Sequence, residues 1–551
     1  MKRFFSVLLA CCLLFSFCTA CNKGSDAGYV VTYDLTRLPR TLDPQLATSS
    51  EAMMIIENTF EGLLRRSGTG KIVTGVAESF TLSDDALTYT FKLRNNAMWS
   101  DGKTHVTPVT ADDFVFAFRR IVEPDTAATA ASSFLCIKNA KDILAGRRPP
   151  SELGVSAPDA HTFVVELEAP NPFFTEVVTT AAAMPCNEEF FRLQKGRYGL
   201  EPSYLMYNGP FFVKDYDLES KIRLRANDNY HSETPTVAGG VDLIFQFNDN
   251  PNKDKPNAVL KTGDEKVIER IYNERTDAAA ITYDDVDKLI SKNNSQIYSF
   301  ENKSWGLLLN CSSRTYGNEA MRRAIMLSID YNELEPFLKD NLAPANAIVP
   351  PAVMLLDKPY REEAGENLRV ETDTDIAKAQ LSEGFESLEI STLAKNSIIF
   401  PTNLNFAPML SVIQRQLQSA LGVFINLEPL PLDEFNTRIN SGDYLIAVAS
   451  FTAGTNNPSS VLGRFTSTSQ QNISGYSNAS FDKALEDARV AEDIVKAAEL
   501  YKNAEQMLIN DCVYLPLAYE TSYYAARAQL KGVTFSPFSY NIFFKFAYDE
   551  G

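Results

Sequence analysis

Apolar and polar positions along the chain follow two periods. "LTYTFKLR" sets Tyr89, Phe91 and Leu93 on one face and Thr88, Thr90, Lys92 and Arg94 on the other, which predicts a half-buried strand. "TSSEAMMIIENTFEGLL" repeats apolar residues at Met53, Ile56, Phe60 and Leu64, a helical spacing, with Thr48 and Glu51 as its expected capping box. "VTADDFVFAFRRIV" opens with Thr110 and Asp113 in capping positions and continues as a helix. "VVTYDL" reads as a short strand, "MRRAIMLSID" and "MLSVIQRQLQSAL" as amphipathic helices, and "FINLEPLPL" as a strand. A long helical region, "SFDKALEDARVAEDIVKAAELYKNAEQMLIND", precedes the strand "VYLPLAYE". Strands and helices interleave throughout, so the fold class is α/β with at least partly parallel sheets. At 551 residues the chain exceeds one core, and roughly two to four domains are expected. No repeat of solenoid or propeller length interrupts the pattern.

The first residues stand apart. "MKRFFSVLLACCLLFSFCTAC" has Lys2 and Arg3, an apolar run from Phe4 to Phe17, then Thr19-Ala20 before Cys21. That is the layout of a secretory signal peptide, 1–20, too short with these flanks to span a membrane. The Thr-Ala-Cys ending resembles a bacterial lipobox, with Cys18 where Leu is usual; Cys21 is then the lipid-bearing N-terminus, and the alternative is ordinary cleavage near Ala20. Residues 21–28 read as a polar tether.

Composition removes several functions. The net charge is −18, and basic residues come only in pairs such as Arg65-Arg66 and Arg119-Arg120. An acidic chain with no basic stripe is not built for nucleic acid, nor for adhering to anionic lipid through its own surface. Four cysteines remain in the folded part, Cys136, Cys186, Cys311 and Cys512, at spacings that fit no metal knuckle; they are read as buried free thiols, with one or two disulfides as the alternative in an exported chain. The 3 histidines, His105, His161 and His231, fall in turn-like stretches and are read as surface residues; no metal site and no cofactor is expected. The common motifs for hydrolases, nucleotide binding and zinc are absent, and acid pairs such as Asp112-Asp113 and Glu188-Glu189 sit at helix starts, where the dipole favours carboxylates. Nothing in the chain points to an enzyme.

Several segments in order carry a resemblance: "LPRTLDPQLATSSEAMMIIENTFEGLL", "VAESFTLSDDALTYTFKLRNNAMWSDG", "VTADDFVFAFRRIVEP", "MPCNEEFF", "YNGPFFVKDY" with "RANDNYH", "NEAMRRAIMLSIDYNEL", "VPP" and "YSNASFDKALEDA". Together they resemble the extracellular solute-binding proteins of the oligopeptide-binding family, receptors of peptide-importing ABC transporters, over nearly the whole mature chain. Locally, Asp101-Gly102 supplies a turn, Trp99 an apolar body, and Asn208-Gly209-Pro210 a tight crossing turn in which Gly209 is expected at positive φ.

The resemblance implies a periplasmic-binding-protein-like, two-lobed fold with an extra domain and mixed sheets. Domain I comprises 29–64, 190–308 and 511–551, domain II is 65–189, and domain III is 309–510. Two crossover strands, near "WGLLLN" and "VYLPLAYE", make the hinge. It further implies a monomer that holds an oligopeptide or related small solute between domains I and III and delivers it to an ABC permease. The peptide backbone would pair like an added strand. The implied ligand-facing residues are Ala47, Thr48 and Ser49 on one side, and Ser450, Phe451, Thr452, Gly454 and Asn456 in "SFTAGTNNPSS" on the other. Relatives that grip peptides carry Asp where this chain has Gly454, the Asp meeting the peptide's α-ammonium; a ligand-facing Tyr is common where Ala130 stands. Three readings of Gly454 stay open: another acid or water meets the amino group, the ligand lacks a free ammonium there, or the receptor serves as an adhesin or scaffold.

Overall fold

The computed structural model describes residues 28–551 apart from 36–37, 68–70, 172, 218–219, 233, 246–264, 274, 293–294, 339, 356–357, 366–367, 394–395, 403, 455, 470, 492 and 538–541. The leader, Cys21 and the tether up to residue 27 lie outside the described residues. Among the described residues no helix is long and apolar enough to cross a membrane.

One mixed, eleven-stranded sheet runs through the molecule. Its strands lie in the order Phe211–Asp217, Lys221–Ala226, Gly240–Ile244, Val30–Asp34, Ala278–Ile281, Tyr514–Arg527, Ser295–Leu309, Ile446–Thr452, Ser397–Pro401 and Asn426–Leu430, with Leu342–Pro344 beside Tyr514–Arg527. Val30–Asp34 is parallel to both its neighbours, as Ser397–Pro401 is to its own. Ser295–Leu309 and Tyr514–Arg527 are the two long strands, paired antiparallel from Ser295↔Arg527 to Leu308↔Tyr514. They carry the sheet from one half of the molecule into the other.

The burial of these strands explains their composition. Leu307 and Leu309 enter one core cluster and Leu308 another, so the unbroken apolar run at "WGLLL" belongs to a strand covered on both faces. The same division places Ile446 and Val448 in one cluster and Ala447, Ala449 and Phe451 in the other. A larger cluster packs residues from Val31 to Phe245 against residues from the C-terminal stretch such as Tyr524 and Phe544.

Within 65–189, Ala77–Leu82, Thr88–Leu93, Thr162–Glu166 and Val155–Asp159 form a four-stranded antiparallel sheet. Tyr89, Phe91 and Leu93 are buried, as the alternation requires. The helix Ala111–Val122 packs on it through Phe114 and Phe118 around Phe163. Thr110 and Asp113 form its capping box, and Asp113 also accepts from Trp99 Nε1 at 3.0 Å.

Four sequence expectations change. The first long helix is Ser50–Thr59, and its cap is Ser49, not Thr48: Ser49 Oγ accepts from the Ala52 amide at 3.2 Å. It stops before Phe60 because Asn208 captures the next residue, accepting from the Glu61 amide at 3.0 Å and donating to its carbonyl at 2.8 Å, and Leu64 opens a strand. The long C-terminal helical region is two helices, Ala479–Arg489 and Ile494–Asn510, the second capped by Asp493. Gly209 does not adopt positive φ; it is glycine because a Cβ would lie 2.6 Å from the backbone at Thr59 and Phe60. His231 is buried, its Nε2 2.7 Å from Glu61. The turn at Gly102 does take φ +71°, and the four thiols are free, Cys186 and Cys512 buried as expected but Cys136 and Cys311 only partly so.

Candidate functional site

Sheet phase decides which backbone groups the strand Ile446–Thr452 can offer a ligand. At one end of its ladder the Asn310 amide donates to the Leu445 carbonyl at 3.0 Å, and at the other the Ala453 amide donates to the Asn302 carbonyl at 3.1 Å. Antiparallel pairing alternates, so Ala447, Ala449 and Phe451 point their backbone groups at Ser295–Leu309, while Val448, Ser450 and Thr452 point theirs the other way. On that far side Ser397–Pro401 pairs only at Ile446 and Ala447, then diverges. Among the described residues no strand covers the edge at Ser450 and Thr452. Arg464 donates to the Thr452 carbonyl at 3.2 Å. The N–H and carbonyl of Ser450 and the N–H of Thr452 are thus directed off the sheet, a short template for one added strand.

The other residues of this segment hold it in place. The Phe451 ring is buried between Phe465 and Tyr514, at centroid distances of 4.8 and 5.2 Å, so both its side chain and its backbone face into the protein. Asn456 is buried and its Oδ1 accepts from the Met354 amide at 2.8 Å. Gly454 is half-buried. Opposite Thr452 and Ser450 in register stand Lys303 and Trp305, and Glu520 accepts from Lys303 Nζ at 2.9 Å and from Trp305 Nε1 at 2.5 Å.

The segment Ala47-Thr48-Ser49 is fixed from beneath. The Leu46 and Ala47 amides donate to the Asp43 carbonyl, and the Asp43 carboxylate receives the buried Arg120 guanidinium at 2.7 Å. Arg120 also donates to Gln45 Oε1 at 2.7 Å, and Gln45 donates to the carbonyls of Ala182 and Met184. Ala47 is buried, Thr48 exposed, and Ser49 is occupied as the helix cap. No backbone–backbone hydrogen bond among the described residues joins 47–49 to 450–456.

The stretch 65–189 closes against the other half of the molecule. Phe173 joins the core around Tyr501, with ring centroids 6.5 Å apart, and Lys141 pairs with Glu486 at 2.8 Å. Beside Phe173 the Glu176 carboxylate is buried next to Arg66 and Asn457, and burial pushes its pKa up to about 7 against the opposing pull of Arg66. Glu57 is pushed up to about 8 by the same cause, again opposed by Arg66. Sequence reasoning missed Glu57 and Glu176, since no local spacing reveals burial by a distant segment. Ala130 lies partly buried in the 3₁₀ segment Thr129–Phe134. At the opposite end of the strand Ile446–Thr452 is a polar groove of about 600 Å³, lined by residues including Asn310, Ser312, Arg438, Asp443 and Asn472.

Residues 71–473 match the family model described as bacterial extracellular solute-binding proteins, family 5 Middle. The chain belongs to that family. It is a solute-binding receptor rather than an enzyme, and its mixed α/β fold is that of solved relatives over 95% of its length. The oligopeptide-binding protein OppA of Bacillus subtilis (strain 168) is 26% identical over 532 residues, 96% of this chain and 94% of that protein. The substrate-binding domain of an oligopeptide ABC transporter from Bacillus anthracis str. Ames superposes with a TM-score of 0.76 at 28% identity, covering 95% of this chain and 99% of that one. Listeria monocytogenes OppA bound to peptide superposes at 0.75 with 25% identity, over 95% and 99% of the two chains.

Proposed function

We propose that this receptor captures oligopeptides and hands them to an ABC permease, exported and held at the membrane by lipid on Cys21. The cleft lies between domain I (29–64, 190–308 and 511–551) and domain III (309–510), with domain II (65–189) closing over part of it. The observation that carries this reading is the uncovered strand edge at Ser450 and Thr452. A strand edge recognises the one part of a peptide that does not vary, its backbone, and so tolerates many sequences. Ala47, Thr48 and Ser49 contribute the facing wall. Phe451 and Asn456 act by fixing the strand and its loop. Relatives named for binding dipeptides and oligopeptides, similar along nearly their full length, support peptide as the ligand class.

Native mass spectrometry of protein purified without denaturation tests this, with bound masses spaced by amino-acid residues as the expected result. A clean ligand-free spectrum that also resists loading with a peptide library overturns it. Gly454 is the observation that favours a second reading, a receptor of the same build for a modified peptide or other solute with no free ammonium near the loop. Bound masses that are not peptides would identify that case.

A further inference from the structure

The edge at Ser450 and Thr452 is only as well placed as the end of the strand that carries it. Asn302 holds that end. In the long ladder Glu301 pairs with Thr521 and Lys303 with Glu520, so Asn302 is the extra residue of a β-bulge in Ser295–Leu309. Its carbonyl accepts from the Ala453 amide at 3.1 Å, one position past Thr452, where the strand Ile446–Thr452 gives way to its loop.

Both polar ends of the Asn302 side chain are bonded. Nδ2 donates to the Pro537 carbonyl at 2.5 Å, and Oδ1 accepts from the Ser522 hydroxyl at 2.9 Å. Neither partner is loose. Ser522 stands opposite Phe300 in the long ladder. The segment before Pro537 is pinned to both long strands by Phe535, whose ring centroid lies 4.5 Å from that of Tyr298 and 5.5 Å from that of Tyr524. Asn302 itself is 1% exposed, so its side chain touches no ligand. The neighbouring Glu301 carbonyl accepts from the Ala352 amide at 3.0 Å, and two residues on, the Met354 amide donates to Asn456. The bulge therefore braces the loop from two directions, at Ala453 and at Asn456.

We infer that Asn302 is the positioning residue of the open edge: its side chain fixes the bulge, the bulge carbonyl fixes Ala453, and Ala453 fixes the outward direction of the Thr452 amide. The inference rests on the peptide-receptor reading. A strand free to rotate at Ala453 would swing that amide off line, and a hydrogen bond weakens steeply with misalignment. The Thr452 carbonyl already accepts from Arg464, so the groups set for a ligand are the Thr452 N–H and both groups of Ser450. What the bracket selects is an unsubstituted peptide backbone, whose own N–H must reach the Ser450 carbonyl.

The test is a competition for the full-length protein between a library of tri- to pentapeptides and the same library with N-methylated backbone amides. Methylation removes the donor that the Ser450 carbonyl needs, and the wild type should prefer the unmethylated library roughly tenfold or more. Asn302→Ala should bring the two libraries close to parity, with the loss falling on the unmethylated peptides. Ser522→Ala removes one of the two side-chain bonds and should lower the preference in part. A ratio that stays at the wild-type value in Asn302→Ala, or in Ser522→Ala should Asn302→Ala not fold, overturns the inference and leaves the peptide receptor standing. Equal losses for both libraries also keep the ratio and overturn it, reducing Asn302 to a structural role. A wild type with no preference refutes the open edge as the peptide's template, and one that retains no library member refutes the receptor reading; either outcome takes this inference with it.

Discussion

At the scale of single residues, the strongly perturbed groups include buried acids that no local pattern singles out. Glu57 shows how such a residue reports on itself. Its ordinary pKa of 4.5 is pushed up to about 8 by burial. Between those values the folded protein holds more protons at this site than the unfolded chain, so raising the pH from about 5 to 8 weakens the fold. Glu57→Gln removes that penalty. The variant should gain on the wild type by on the order of a few degrees in Tm across this range, as measured by calorimetry of ligand-free protein. A Tm difference that stays constant with pH would mean that Glu57 is not the titrating group. Phe451 is ligand-facing by the resemblance, yet its ring serves the core. Its neighbours Ser450 and Thr452, unremarkable in sequence, direct their backbone groups outward, a consequence of ladder phase that no residue type encodes.

At the scale of elements, periodicity read well wherever one element packs on one face. The strand Thr88–Leu93 and the helix Ala111–Val122 follow their alternation and their caps. It failed where a remote segment intervenes. The apolar spacing through Phe60 and Leu64 continues past the end of the first helix, but Asn208 takes both backbone groups of Glu61 and turns the chain into a strand. Asn208 lies 147 positions away, beyond the reach of any local window. Gly209 belongs to the same crossing, and its role is proximity rather than φ. Gly209→Ala should therefore cost about 1–3 kcal/mol, because the new methyl meets backbone at Thr59 and Phe60 that cannot swing aside. Urea denaturation checks this, and a midpoint equal to that of the wild type would show that the crossing has slack.

At the scale of the whole molecule, the two long strands make one sheet of both halves and so join elements far apart in sequence. The continuous apolar runs at "WGLLL" and "YLIAVA" lie in strands covered on both faces. What could not be read from the chain was the divergence of Ser397–Pro401 after only two register pairs, which leaves the edge at Ser450 and Thr452 open. If a peptide adds to that edge, its backbone must shield the amides of Ser450 and Thr452, while Phe451, already bonded to the neighbouring strand, changes little. Hydrogen exchange with and without a bound peptide library should therefore slow at Ser450 and Thr452 and across the facing segment 47–49. The ladder between Ser295–Leu309 and Tyr514–Arg527, already paired along most of its length, should exchange at an unchanged rate. Protection confined to the polar groove at Asn310, Arg438 and Asp443 would move the binding site to the other end of the strand and refute the open edge as the peptide's template.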